Sequence, residues 1–217
     1  MLASASPARL ETLVRAGLHP RVVVSAVDED AFAAPTVAGL VAVLAQAKAE
    51  AVEATLRPPQ GAALLAEPDE ASRLAELFAG RDLLVVGCDS LLELDGHPLG
   101  KPASPEEAVQ RWRDMRGRIG HLHTGHHVIA RSGASPRAVA AVATTEVSFA
   151  DLDDAEIDAY VATGEPELVA GAFTIDGLGG AYVTAVSGDP HNVVGISLPL
   201  LRRLFADLGV PWHTLWS

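Results

Sequence analysis

Apolar positions along the chain fall into helical stripes and short continuous runs that alternate from end to end. Leu10, Leu13, Val14 and Leu18 recur at helical spacing behind Ser6-Pro7, an N-cap and first-turn proline, so a helix is predicted to end near Gly17. Val22 to Ser25 reads as a short strand, and Val27-Asp28-Glu29-Asp30 as an acidic loop. From Thr36 to Leu56, the inward positions Leu40, Leu44, Ala47, Ala51 and Val52 predict a long helix. Pro58-Pro59-Gln60-Gly61 breaks the pattern, and Ala71 to Phe78 reads as a short helix. Leu83 to Cys88 is an apolar run of central-strand type, and Asp89 ends it.

Beyond Asp89 lies Leu91-Leu92-Glu93-Leu94-Asp95-Gly96-His97-Pro98-Leu99, whose Asp-Gly pair predicts a hairpin. Such a fold-back carries Lys101, in Gly100-Lys101-Pro102, towards Asp89. Ser104-Pro105-Glu106-Glu107 opens a helix that runs to about Met115. Ile119 to Arg131 and Ala138 to Phe149 read as two strands joined through Ser132-Gly133-Ala134-Ser135-Pro136. Asp153, with Glu156 three residues on, caps another helix with Ile157, Tyr160 and Val161 inward. After a glycine-rich stretch from Gly171 to Gly180, Tyr182 to Val186 is a strand. Leu198, Leu201, Leu204, Phe205 and Leu208 then mark a last helix stopped by Gly209. Strands alternate with helices and at least two hairpins intervene, so the prediction is an α/β protein on a mixed sheet.

The 217 residues suffice for one large or two small lobes, and 49% apolar with 20% charged is ordinary globular composition. A formal charge of -12 argues against polymeric nucleic acid and against an anionic membrane, because both need a basic footprint. A small phosphorylated ligand held by a few local cations stays open. The single cysteine, Cys88, forms no intrachain disulfide, which suits a reducing cytosol. No apolar run reaches transmembrane length, and the N-terminus lacks a signal peptide's basic start and apolar core, so a cytoplasmic protein is expected. The abrupt opening at Met1-Leu2-Ala3-Ser4 makes any first strand very short and leaves open a start further upstream.

Against this background a few polar residues stand out. Ser4-Ala5-Ser6-Pro7-Ala8-Arg9 sits where a strand meets a helix, a place whose free amides and dipole suit an anion. Ser4 and Ser6 add donors and Arg9 can hold a phosphate with two hydrogen bonds, although on the segment alone an N-cap and a surface arginine are the better explanation. Lys48 lies on the apolar stripe of its helix, four residues after Leu44, where lysine is rarely buried unpaired; either its stem snorkels past the core or its ammonium enters a polar cleft, and the stripe position favours the cleft. Glu29 and Asp89 are the candidate ligands of a magnesium-type ion, which takes one or two carboxylates plus substrate phosphates; the alternatives are a solvated acidic loop for Glu29 and a turn-initiating aspartate for Asp89, the latter weakened by the return of Lys101 beside it. His121, His123, His126 and His127 invite a zinc reading, but no cysteine or carboxylate with zinc-ligand spacing accompanies them. Gly177-Leu178-Gly179-Gly180 is not a dinucleotide fingerprint, and Gly100-Lys101-Pro102 is not a Walker loop. Trp112, Trp212 and Trp216 are too scattered to form a base-stacking stripe.

Taken in order, these segments resemble the Maf family of nucleoside triphosphate pyrophosphatases. The resemblance runs through residues 4–9, Val27-Asp28-Glu29, Ala45-Gln46-Ala47-Lys48-Ala49, Gly87-Cys88-Asp89-Ser90 and Gly100-Lys101-Pro102. It continues through Thr124-Gly125, Tyr160 to Pro166, Ala170-Gly171-Ala172-Phe173 and Asn192-Val193-Val194-Gly195. It implies one domain over 1–217: an elongated mixed sheet flanked by helices, with two lobes around a nucleotide cleft, often homodimeric. It implies cleavage between the α and β phosphates, giving nucleoside monophosphate and pyrophosphate, with a divalent metal (Mg2+ or Mn2+). Asp89 takes the place of the proton acceptor, Arg9, Lys48 and Lys101 of the phosphate-handling cations, and Glu29 of the second acid. Ser4, Ser6, Ser90, Glu165 and Asp176 fall at substrate-binding positions. Family members of the thymidine/uridine type carry arginine where this chain has Ala8, glutamine where it has Asp176, and Asp-Lys where it has Leu168-Val169. The pyrimidine preference is therefore not carried over, and methylated or other modified nucleotides remain candidates. The family is also associated with septum formation, so the alternative is a nucleotide-binding regulator without significant catalysis.

Overall fold

A computed structural model describes residues 1–57, 77, 80, 82–131 and 135–216. The break at 58–61, most of the proposed helix at 71–78 and part of the turn at 132–136 lie outside the described residues. Strand β1 (Leu2–Ala3) leads into helix α1 (Pro7–Arg15), and a 3-10 turn (Glu29–Ala31) precedes the long helix α2 (Val37–Thr55). Strands β2 (Leu83–Leu94) and β3 (His97–Leu99) form a hairpin, followed by α3 (Pro105–Met115), β4 (Ile119–Arg131) and β5 (Arg137–Phe149). Then come α4 (Asp154–Val161), three 3-10 turns, β6 (Val183–Ser187), α5 (Pro190–Val194) and α6 (Leu198–Asp207).

Among the described residues, six strands make one mixed sheet in the order β1-β2-β4-β5-β6, with β3 beside β2. The hairpin forms because Asp95 and Gly96 both take positive φ, +53° and +78°, as a two-residue turn of mirror-image type requires. Residues 22–25 do not become a strand. Only Val22 bridges, to Leu2, and a two-residue β1 offers too short an edge to extend the pairing.

Asp89 also does not end its strand. β4 pairs with β2 from Leu83 through Glu93, so the ladder carries straight through the charged residue. On the opposite edge, β1 covers Val86 and Gly87 and β3 covers Leu92 to Leu94. Between these two partners, Cys88 to Leu91 have no strand on their outer edge among the described residues. A short open window in the sheet edge thus contains Asp89 and Ser90.

The two sheet faces differ. The face bearing Val85, Gly87 and Asp89 lies under α2, where Ala49, Val52 and Leu56 close an apolar cluster with Leu83, Val85 and Ile129. The other face carries two clusters. Val86, Cys88 and Val128 pack with α1 and α6 through Leu13, Leu201 and Phe205. Leu92, Leu122 and Phe149 pack with α3 and α4 through Trp112, Ile157 and Tyr160. Ser90 and Thr124, directly paired across the ladder, occupy the polar seam between them. No helix among the described residues is long and apolar enough to cross a membrane.

His126 ties the sheet to α6. Its Nδ1–H donates to the Thr124 carbonyl (3.0 Å) and its Nε2 accepts from the Ser197 amide (2.9 Å) at the helix start. Burial pushes its pKa from 6.5 to about 4. A folded-state value below the unfolded one means that its contribution is fully present above pH 6.5 and is lost as pH falls towards 4. The shift corresponds to on the order of 3 kcal/mol. Thermal midpoints are therefore expected to fall steeply between pH 7 and pH 4. His126→Ala should be less stable at pH 7 and lose a good part of that acid dependence; an unchanged slope would remove His126 as its source.

Candidate active site

Two glycines set the site geometry. Gly87 on β2 and Gly125 on β4 both face α2, and neither leaves room for a side chain. A Cβ on Gly125 would stand 2.1 Å from the Val41 carbonyl oxygen, and one on Gly87 2.2 Å from that of Ala45. Helix α2 thus rests on the sheet backbone along Val41, Ala45 and Ala49. This contact turns its buried face from the expected Leu40–Ala47–Ala51 line to Val37, Val41, Leu44, Ala45, Lys48, Ala49 and Val52. Further along the same helix, Lys48 meets Asp89, the residue paired with Gly125 across the ladder.

Lys48 Nζ lies 2.5 Å from Asp89 Oδ1 and 2.7 Å from Glu29 Oε1. Asp89 is 6% exposed and Lys48 9%, whereas the Glu29 side chain is 55% exposed. Glu29 is brought there by a 3-10 turn whose first residues are capped by Asp28, which accepts from the Asp30 amide. Burial raises the Asp89 pKa above the ordinary carboxylate value; Lys48, through charge and hydrogen bond, and then Arg9 pull it back in part. The result is a partly desolvated carboxylate at an open edge, more basic than a surface aspartate.

Arg9 approaches from the other side of β2 and is largely committed to the protein. Nε donates to the Gly195 carbonyl (2.7 Å), Nη1 to Ser4 Oγ and to the Cys88 carbonyl (3.0 Å each), and Nη2 to Ser90 Oγ (2.9 Å). Of the guanidinium's five N–H groups, this leaves a single Nη2–H for a ligand. Ser4 Oγ also accepts from the Ser6 amide, and Ser6 Oγ caps α1 by accepting from the Arg9 amide. Ser90 Oγ contacts Thr124 Oγ1 (2.9 Å), which donates to the Asn192 carbonyl. Thr124 and Asn192 were legible as motif positions, but their joint support of Ser90 depends on strand register and on the placement of α5.

Lys101 follows β3. The ladder ends where Leu92 pairs with Leu99, so Lys101 leaves the hairpin two residues beyond that pair, on the edge of β2 that holds the window. Lys101 is exposed, and no ion pair to it forms among the described residues. The loop after β3 is tied to the glycine-rich segment, where the Gly171 amide donates to the Gly100 carbonyl (2.9 Å).

Glu165 and Asp176 part company. Asp176 is exposed at the tip of its loop. Glu165 accepts from Tyr160 Oη (2.8 Å), Thr174 Oγ1 (2.5 Å) and the amides of Leu178 (3.0 Å) and Gly179 (2.9 Å). Burial works to raise its pKa, but these donors outweigh it and the net shift is downward. Its carboxylate is spent on shaping the 174–179 loop.

The histidines do not converge. His123 bonds Glu93 (3.1 Å) and Thr144, His121 stands 3.8 Å from Glu146, and His126 points to the opposite face. No group of three or more His, Cys, Asp or Glu residues among the described residues is arranged to hold a metal ion. Glu29 and Asp89 instead turn oxygens towards one point, the Lys48 ammonium. Carboxylate oxygens are the donor type that a hard divalent cation takes beside water and phosphate oxygens, but the point on which these two converge is filled by the Lys48 ammonium.

Comparisons with known proteins agree with this arrangement. The Maf-like protein family matches residues 1–208. A nucleoside triphosphate pyrophosphatase of Streptomyces coelicolor is 51% identical over 217 residues, covering all of this chain and 94% of the relative. Proteins of the same name from Salinispora tropica and Cutibacterium acnes are 50% and 48% identical over the whole chain, covering 87% and 94% of the relatives. The chain belongs to the Maf family.

Proposed function

We propose that the chain hydrolyses nucleoside triphosphates to nucleoside monophosphate and pyrophosphate, as one domain of two lobes whose cleft is the polar seam and open edge around Ser90. The observation that carries this reading is the buried Asp89 carboxylate at the unpaired stretch of β2, held by Lys48 with Glu29 beside it. A protein that only binds nucleotide as a signal has no need of a partly desolvated carboxylate there.

Asp89 accepts a proton from water as its oxygen bonds to the α-phosphorus. The bond to the bridging oxygen breaks, and pyrophosphate leaves with the electron pair. Negative charge grows on that leaving group, so Lys101 at the window and the remaining Nη2–H of Arg9 stabilise it. Glu29 and Asp89 would hold a divalent ion such as Mg2+ or Mn2+, which supplies charge neutralisation to the triphosphate. Ser4 and Ser90 orient Arg9, and Asp176, an acceptor when ionised, stands at the loop tip as a contact for base or sugar.

The test is incubation with a panel of standard, methylated and other modified triphosphates plus Mg2+ or Mn2+, with both products measured. Equimolar monophosphate and pyrophosphate support the reading, whereas tight binding without product supports a regulator. Lys101→Ala is expected to lower kcat and raise the KM for triphosphate together, by roughly tenfold or more in kcat/KM. An unaltered kcat/KM would exclude Lys101 from phosphate handling.

A further inference from the structure

Lys101 presents a positioning problem. Its side chain is exposed and meets no ion-pair partner among the described residues, so its direction depends on how its backbone is held. Helix α3 holds that backbone at both flanks. Arg111 Nη1 donates to the Gly100 carbonyl, just before Lys101. Glu107 Oε2 accepts from the Ala103 amide (2.8 Å), two residues after it. The two side chains are joined to each other, one turn apart, by Arg111 Nη2 and Glu107 Oε1 at 2.5 Å.

The clamp is well supported. Arg111 is only 8% exposed, which is unusual for an arginine and is satisfied by the Gly100 carbonyl and Glu107. The same helix carries Trp112, whose indole donates to the Ala172 carbonyl (2.8 Å), while the Gly171 amide shares the Gly100 carbonyl with Arg111. Pro102 stiffens the span between the two anchors. We propose that Arg111, with Glu107, is a positioning residue for the reaction: it fixes the 100–103 span so that Lys101 faces the substrate's phosphates. This rests on the pyrophosphatase reading above. A free lysine carries large rotamer entropy, and a misplacement of about 1 Å can cost a factor of ~100 in rate, so a fixed backbone origin matters.

The test is a double-mutant cycle on pyrophosphate release with wild type, Arg111→Ala, Lys101→Ala and the double variant, with thermal midpoints recorded for all four. Arg111→Ala is expected to lower kcat/KM by about tenfold in the wild-type background and by less than about twofold in the Lys101→Ala background. Arg111→Lys, which keeps one donor, should recover part of the loss. Equal losses in both backgrounds, or no loss, overturn the proposal and leave the function intact. A wild type that releases no pyrophosphate from any triphosphate overturns both. Should Arg111→Ala fail to fold, Glu107→Ala, at a half-exposed position, removes the Ala103 anchor. The same cycle with Lys101→Ala is then expected to show the same non-additivity, and additivity would overturn the proposal.

Discussion

Asp89→Asn is expected to fold and to lose about 10²- to 10⁴-fold in kcat, the range for removing a positioned general base. The substitution preserves shape, and the amide oxygen can still accept from Lys48. Breaking a buried ion pair by removing one partner often costs ~3–5 kcal/mol because the survivor is left uncompensated. Here Lys48 keeps Glu29 at 2.7 Å, so its charge stays paired. Asp89 is also ionised against a desolvation cost, as its raised pKa shows, and asparagine removes that cost. The two effects oppose each other, and the thermal midpoint is expected to move by only a few degrees. Measuring kcat beside the midpoint separates chemistry from stability. A variant that turns over at the wild-type rate would remove Asp89 from the proton transfer, and one that unfolds would show the charge to be structural.

What was legible in the sequence depended on range. Local signals carried the elements: Ser6-Pro7, the Asp153–Glu156 capping box and the Asp95-Gly96 turn all form as their chemistry dictates, because each partner lies within a few residues. Lys48 was legible as a lysine on an apolar stripe that favours a polar cleft, whereas its carboxylate partners, Asp89 and Glu29, emerge only once α2 lies on β2. The occupancy of donors was not legible. Arg9 has the composition of a phosphate fork, yet its partners Ser90, Cys88 and Gly195 come from segments far along the chain, and they consume most of the fork. Glu165 likewise falls at a substrate-binding position by resemblance, and its donors come from a segment 9 to 14 residues further on that its own sequence neighbourhood does not signal. Arg111 left no sequence signal of its own, because an arginine in an amphipathic helix is normally a solvated one. The strand at 22–25 failed for the opposite reason: local propensity was present, but the two-residue β1 gave it almost nothing to pair with.

Gly125→Ala is expected to be strongly destabilising although it adds a single methyl group. At an ordinary surface glycine this change adds stability by restricting the unfolded chain. At Gly125 the new Cβ would sit 2.1 Å from the Val41 carbonyl oxygen, 2.5 Å from its carbon and 2.9 Å from the Ala42 amide nitrogen. All three obstacles are helix backbone, so no rotamer change relieves the contact, and α2 must lift by roughly an ångström or more to restore van der Waals spacing. The lift opens the interface that buries Val41, Ala45, Ala49 and Val52. Overpacking of this kind is expected to cost about 3 kcal/mol or more, which for a chain of this length lowers the thermal midpoint by roughly 6–12 °C. It also withdraws Lys48 from a 2.5 Å contact, so the protein that remains folded at low temperature should hydrolyse triphosphate more slowly than its folded fraction predicts. Gly87→Ala, 2.2 Å from the Ala45 carbonyl oxygen, should behave alike. Because both methyl groups displace one rigid helix, the double variant should cost less than the two single losses added together. Chemical denaturation of the four proteins measures this directly. Full additivity would mean that the sheet deforms separately at each glycine, and that close docking of α2 is not what brings Lys48 to Asp89.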